Sequence, residues 1–178
     1  NDDTDGESRE GFGPLDLTIW RGRRWSTATA YLRPAMSRAN LSVVGNAHVV
    51  RVLMDQRTAR GVEYLRAGRK WQAMAAKEVI LSCGAIQSPQ LLQLSGIGAA
   101  EELRQFNLPL VHDLPGVGRG LQDHVAISMK VTVTQPITLL RYRTPWRMGL
   151  ALADYLLFRR GPLANPGLEV VGFLRSQP

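Results

Sequence analysis

Lys77-Glu78-Val79-Ile80-Leu81-Ser82-Cys83-Gly84-Ala85-Ile86-Gln87-Ser88-Pro89-Gln90-Leu91-Leu92-Gln93-Leu94-Ser95-Gly96-Ile97-Gly98 is the stretch on which the fold turns. Its unbroken apolar centre, Val79-Ile80-Leu81, suits a buried strand of a parallel sheet. Gly84 then lets the backbone turn tightly, and Ala85 keeps side-chain bulk away from the turn. Ser88 is placed to cap a helix whose first residue is Pro89, and Ser95-Gly96 ends it. The start of such a helix presents unsatisfied N–H groups that accept the polar atoms of a cofactor. The same residues also fit an ordinary capped helix packed on a sheet.

Upstream, Leu41-Val44, Ala47-Met54, Gly61-Leu65 and Arg69-Ala75 follow the period of strands. Asp55-Gln56-Arg57-Thr58 and Ala67-Gly68 supply turns, so this region reads as a small antiparallel meander. Before it, the glycines of residues 11–25 indicate loop and short extended segments, and Ser26 opens a helix that Pro34 kinks or restarts. Downstream, Ala99-Phe106 reads as a helix with Leu103 and Phe106 on one face. Asn107-Leu114 returns as an extended segment. Val125, Ile127, Met129, Val131 and Val133 alternate with polar or small residues, which predicts a strand that enters a second, antiparallel layer. Trp146-Arg160 reads as a helix stopped by Gly161-Pro162. Its apolar circumference fits a core helix, a contact with further chain, or a peripheral membrane contact. The fold class expected is α/β with an α+β mixture.

At 178 residues and 44% hydrophobic content the chain is long and apolar enough for a good core. The formal charge of +7 attracts anions. The basic residues from Arg21 to Lys77 are nevertheless dispersed over helix, hairpin and turn, without the basic and aromatic platform of a single-strand binder, so no nucleic-acid partner is expected. A lone cysteine, Cys83, excludes an intrachain disulfide and a cysteine-based zinc site. The longest apolar helix, Trp146-Phe158, has about 13 residues where about 20 are needed to cross a bilayer. The polar run from Asn1 to Glu10, the missing initiator Met and the apolar segment close to Pro178 lead us to expect an internal piece of a longer enzyme. The expected location is cytoplasmic or peripheral to a membrane.

The Gly84-Gly98 stretch, together with Leu114-Pro115-Gly116-Val117-Gly118-Arg119-Gly120-Leu121-Gln122-Asp123-His124, resembles two signatures of the glucose-methanol-choline (GMC) flavoprotein oxidoreductases. Asp16-Leu17-Thr18-Ile19, Ala30-Tyr31-Leu32-Arg33-Pro34-Ala35 and Gly61-Val62-Glu63-Tyr64 extend the resemblance toward the branch that acts on choline. It implies the central part of a Rossmann-like FAD-binding domain over residues 1–124, and the beginning of a substrate-binding domain over 125–178. It implies FAD as cofactor, with Val49 meeting the adenine ring through its backbone and Gly84 and Ala85 approaching the ribityl-diphosphate region. Val49 also reads as an interior strand valine, and Gly84-Ala85 as packing.

The reaction implied is hydride transfer from a primary alcohol, choline going to betaine aldehyde, to flavin N5. The Gly-x-Gly-x-x-Gly turn and the catalytic His of the family have no counterpart in this chain, so no catalytic residue is assigned here and the chain alone is expected to be inactive. Asp123 and His124 read as loop-locking residues, because neighbours on an extended chain point opposite ways. Gly120 stands where the family usually has Asn. His48 and His112 lack metal-ligand spacing, Cys83 reads as packing, and Trp146 and Glu169 are assigned surface or core roles. Rival readings are another alcohol dehydrogenase or oxidase of the family, or a non-catalytic basic binding module.

Overall fold

The computed structural model describes residues 10–165, 167 and 170–175. In chain order the elements are β1 (Gly11–Pro14), β2 (Ile19–Trp20), β3 (Arg23–Arg24), a π-helical turn (Ala28–Leu32) running into a short α1 (Arg33–Ala35), β4 (His48–Asp55), β5 (Thr58–Arg66), β6 (Arg69–Met74) and α2 (Gly84–Leu94). They continue as β7 (Ile97–Gly98), α3 (Ala100–Gln105), β8 (His112–Asp113), α4 (Pro145–Phe158) and β9 (Val170–Phe173). The class is mixed α/β, as read. The chain divides into one compact unit at Val43–Ile127 and another drawn from the described residues of Asn1–Ser42 and Ser128–Pro178.

The Val43–Ile127 unit is built on the antiparallel meander β4-β5-β6. Two-residue connections make both hairpins, and Ala67 and Gly68 each take positive φ (49° and 73°), the primed geometry whose twist matches that of paired strands. The β4-β5 register shifts between Leu53 and Met54, opposite Gly61 and Ala59. A β-carbon on Gly61 would collide with the Ala73 carbonyl oxygen, so the irregularity requires glycine there. Glu63, on the central strand, is buried and accepts from Arg51 at 3.2 Å, with Lys70 at 3.7 Å. Both cations are largely exposed, which lets the buried carboxylate keep its charge compensated.

α2 packs on β4, and the core of the unit gathers Val52, Leu91, Ala99, Leu103 and Val117. Leu103 is only 2% exposed, and burying it contributes about 2 kcal/mol. Gly96 follows α2 with φ +85°, and its carbonyl accepts the N–H groups of Val111 (2.8 Å) and His112 (3.1 Å). That contact leads into the parallel β7-β8 pair, in which Ile97 faces His112. The Asp113 carboxylate accepts the Ala100 N–H at 2.9 Å and so caps α3 from thirteen residues downstream.

Several expectations are corrected. Residues 41–44 and 77–82 belong to no strand, and Ile80 is 75% exposed. Val125–Thr134 is likewise unpaired, with Val125 94% and Ile127 86% exposed. Alternation marks two faces, but a strand exists only where a neighbour takes its N–H and C=O groups. α2 starts at Gly84, not at Ser88-Pro89, so Pro89 lies inside the helix. Phe106 does not join Leu103 in the core; it is the residue that ends α3, and it is 73% exposed.

In the other unit, β1 pairs antiparallel with β9, and Gly172 lies against the Phe12 ring where a β-carbon would clash. Ser26 opens the helical segment as expected: its hydroxyl accepts the Thr29 N–H at 3.3 Å. The π-helical turn precedes Pro34, which has no N–H to continue an α-helical ladder. α4 ends at Phe158, with Arg159 in the left-handed region at φ 56°, two residues before the Gly161-Pro162 stop. Ala151 is its one buried residue, while Trp146, Leu150 and Leu157 are exposed, so α4 is not a core helix of this chain. Among the described residues, no helix is long and apolar enough to cross a membrane.

Candidate functional site

The first turn of α2 is arranged to leave backbone groups accessible. Cys83 occupies the cap position without a side-chain cap bond to the helix, and no acidic residue lies in the first turn. Gly84 takes φ +90°, a conformation that disfavours any side chain, and a β-carbon there would meet nothing within 4 Å. Gly84, Ala85, Ile86 and Gln87 are all exposed. The result is an open helix N-terminus with bare N–H groups and the positive end of the helix dipole, suited to an anionic or strongly polar ligand.

Ser88 and Pro89 shape this turn in a way their positions outside the expected helix start concealed. The Ser88 hydroxyl accepts the Cys83 N–H at 3.0 Å, satisfying from inside the helix the donor just ahead of the turn. Pro89 has no N–H, so the Ala85 carbonyl four residues earlier loses its regular helical donor. The Gly84-Ala85 corner itself therefore presents N–H donors.

Val49 lies half-buried on β4, next to a register shift between Val49 and Arg51. Because α2 packs on β4, the elements that carry Val49, Gly84 and Ala85 are neighbours. One buried polar joint connects them. The Ser95 hydroxyl accepts the Val52 N–H at 2.8 Å and donates to the Leu91 carbonyl at 2.6 Å. Sequence reading treated Ser95 only as a helix end, and no local pattern announces a bond to a strand 43 residues earlier.

The Pro115-Gly118 loop packs on α2 through Gln93, whose Nε2 donates to the Val117 carbonyl at 3.4 Å. Arg119 donates to Glu102 at 2.6 Å, which holds the exposed guanidinium still more firmly in its charged form. Gly120 has φ +70°, in the region where Asn is the next most tolerated residue, so Gly in place of the family's usual Asn keeps the backbone conformation. Asp123 accepts the backbone N–H of His124 at 2.8 Å, a local bond in an exposed segment and not a carboxylate-imidazole pair.

His48 begins β4 and His112 lies in β8; among the described residues no His, Cys, Asp and Glu cluster could hold a metal. Trp146 is exposed, with the Arg147 guanidinium over its ring at 5.1 Å, so a cation already occupies one face. Glu169 lies outside the described residues.

Against known proteins, the family described as GMC oxidoreductase matches residues 1–126. The mitochondrial choline dehydrogenase of Homo sapiens is 49% identical over 99% of this chain, and the oxygen-dependent choline dehydrogenase of Pseudomonas putida is 43% identical over 99%. This chain spans 30% and 32% of their lengths, respectively. Among solved structures, a formate oxidase superposes with TM-score 0.81 at 28% identity over 93% of this chain and 29% of its own. A fungal aryl-alcohol oxidase superposes with TM-score 0.80 at 26% identity over 92% of this chain and 29% of its own.

Proposed function

Because this chain belongs to the GMC oxidoreductase family, we propose that it is part of an FAD-dependent enzyme that oxidises a primary alcohol, choline, to betaine aldehyde. The observation that carries the substrate is the 49% identity to a choline dehydrogenase over nearly the whole chain. FAD, when bound, supplies the acceptor for the hydride.

The chain's own contribution is to bind and orient. Gly84 and Ala85 offer the exposed backbone of the α2 first turn to the polar middle of the cofactor, and its open approach fits such a group. Val49 offers main-chain groups to the adenine from the edge strand β4. Residues 1–124 are assigned to the cofactor-binding part and 125–178 to the start of the substrate-binding part. The unpaired, alternating 125–134 segment is assigned to a sheet completed by further chain. The exposed apolar face of α4 is assigned to the same further chain. The acid-base residue for the alcohol proton is placed outside this chain, since Asp123 and His124 form only a local backbone bond.

The test uses the full-length protein, purified with its flavin, and records the absorbance spectrum before and after anaerobic addition of choline. Bleaching of the oxidised flavin bands is the expected result. A flavin that stays oxidised with choline but bleaches with another alcohol replaces the substrate and keeps the chemistry. A folded full-length protein without flavin overturns the cofactor assignment.

A further inference from the structure

Ser95 is the joint between two elements that the proposed function makes partners in cofactor binding. β4 is an edge strand of the meander, so its outward N–H groups have no strand to pair with. The Val52 N–H is one of these, and Val52 is buried at 6% exposure. Left unpaired it would be costly; the Ser95 hydroxyl takes it at 2.8 Å. Ser95 is itself buried, and its own proton goes to the Leu91 carbonyl at 2.6 Å. With one proton donated and one accepted, the hydroxyl is locked in orientation, and it is the one hydrogen bond between α2's end and the meander among the described residues.

The location lets the joint act at a distance. Ser95 caps the C-terminal end of α2, whereas Gly84 and Ala85 sit at the other end, about 16 Å away at 1.5 Å per residue. α2 moves as one rod, so a slip of about 1 Å of its Ser95 end along β4 carries the first turn by about the same amount, enough to spoil a backbone contact. Val52 lies three residues along β4 from Val49.

We propose that Ser95 is a positioning residue for the cofactor: its hydroxyl pins the C-terminal end of α2 in register on β4, so that the Gly84-Ala85 corner and the Val49 backbone engage one bound molecule together. This inference rests on the FAD reading of those three residues.

The experiment compares full-length Ser95→Ala, Ser95→Thr and, as a control, Leu103→Val, which loosens the same unit away from the joint. The readouts are the Kd of the apo-protein for FAD, the visible circular dichroism of bound flavin and the thermal midpoint. Ser95→Ala is expected to raise the Kd by about tenfold and alter the dichroism, with Ser95→Thr restoring both to within about threefold of the parent. Leu103→Val is expected to lower the thermal midpoint with a Kd change under about twofold. If Ser95→Ala does not fold, Ser95→Cys takes its place, keeping the shape with a much weaker hydrogen-bonding group. An unchanged Kd in the Ala or Cys variant, or equal weakening in Leu103→Val, overturns the proposal. Failure of the parent protein to bind FAD would instead overturn the cofactor reading on which it rests.

Discussion

The meander and the 125–134 segment carry the same kind of sequence signal, and only the meander is a sheet. Both read as strands, and only 125–134 alternates strictly, yet β5 is paired between β4 and β6 while Met129 is 86% exposed and pairs with no described strand. The difference is the distance to a partner. Each meander strand finds its neighbour across a two-residue turn, so the pairing is local and its loop-closure entropy small. The later segment has no hairpin partner on either side, and no strand among the described residues pairs with it. Alternation specifies which side chains share a face; it does not specify who lies opposite.

The largest effect that tests this contrast comes from Gly61. Gly61→Ala places a β-carbon against the Ala73 carbonyl oxygen and should destabilise the 178-residue chain by about 3 kcal/mol in urea unfolding followed by circular dichroism. A loss below about 0.5 kcal/mol would mean that the irregularity in β5 relaxes freely, and the meander would then be less fixed than its register implies.

Met129 supplies the next effect, because it depends on the length of chain. Met129→Ala should shift the stability of the 178-residue chain by no more than about 0.5 kcal/mol, as for other exposed positions. In the full-length protein the same change should cost about 2 kcal/mol, if the segment gains a covered sheet there. Equal, small effects in both would remove the proposed sheet.

Ala67 gives the smallest effect, and with opposite sign. Its φ of 49° is unfavourable for alanine and tolerated by asparagine, so Ala67→Asn, creating an Asn-Gly turn, should stabilise the chain by about 0.5–1 kcal/mol in the same urea titration. A loss of stability would show that the β5-β6 turn is not held in the primed geometry.

Much of the candidate site was legible because its signals are local. Gly84 announces a positive-φ turn, Ala85 a lack of bulk, and the meander its own turns. The helix start was misplaced because Ser88-Pro89 imitates a cap and first residue, whereas the Ser88 hydroxyl works backward to the Cys83 N–H from within α2. Pro89 is tolerated inside the helix, where it lacks the N–H that would donate to the Ala85 carbonyl. Ser95 and Asp113 escaped notice for a different reason. Each satisfies a backbone N–H far away in sequence, 43 and 13 residues respectively, and a short polar side chain carries no mark of a distant partner.

The residues taken alone specify the elements whose hydrogen bonds close within a few positions: the meander hairpins, the glycine corner and the helices, together with the family to which they belong. Where α2 begins, the tie of its far end to β4 through one buried hydroxyl, and which strand-like segments are paired follow from the folded chain alone. Backbone conformation answers to neighbouring residues through sterics, whereas the satisfaction of an edge strand's N–H depends on whatever group the fold brings beside it.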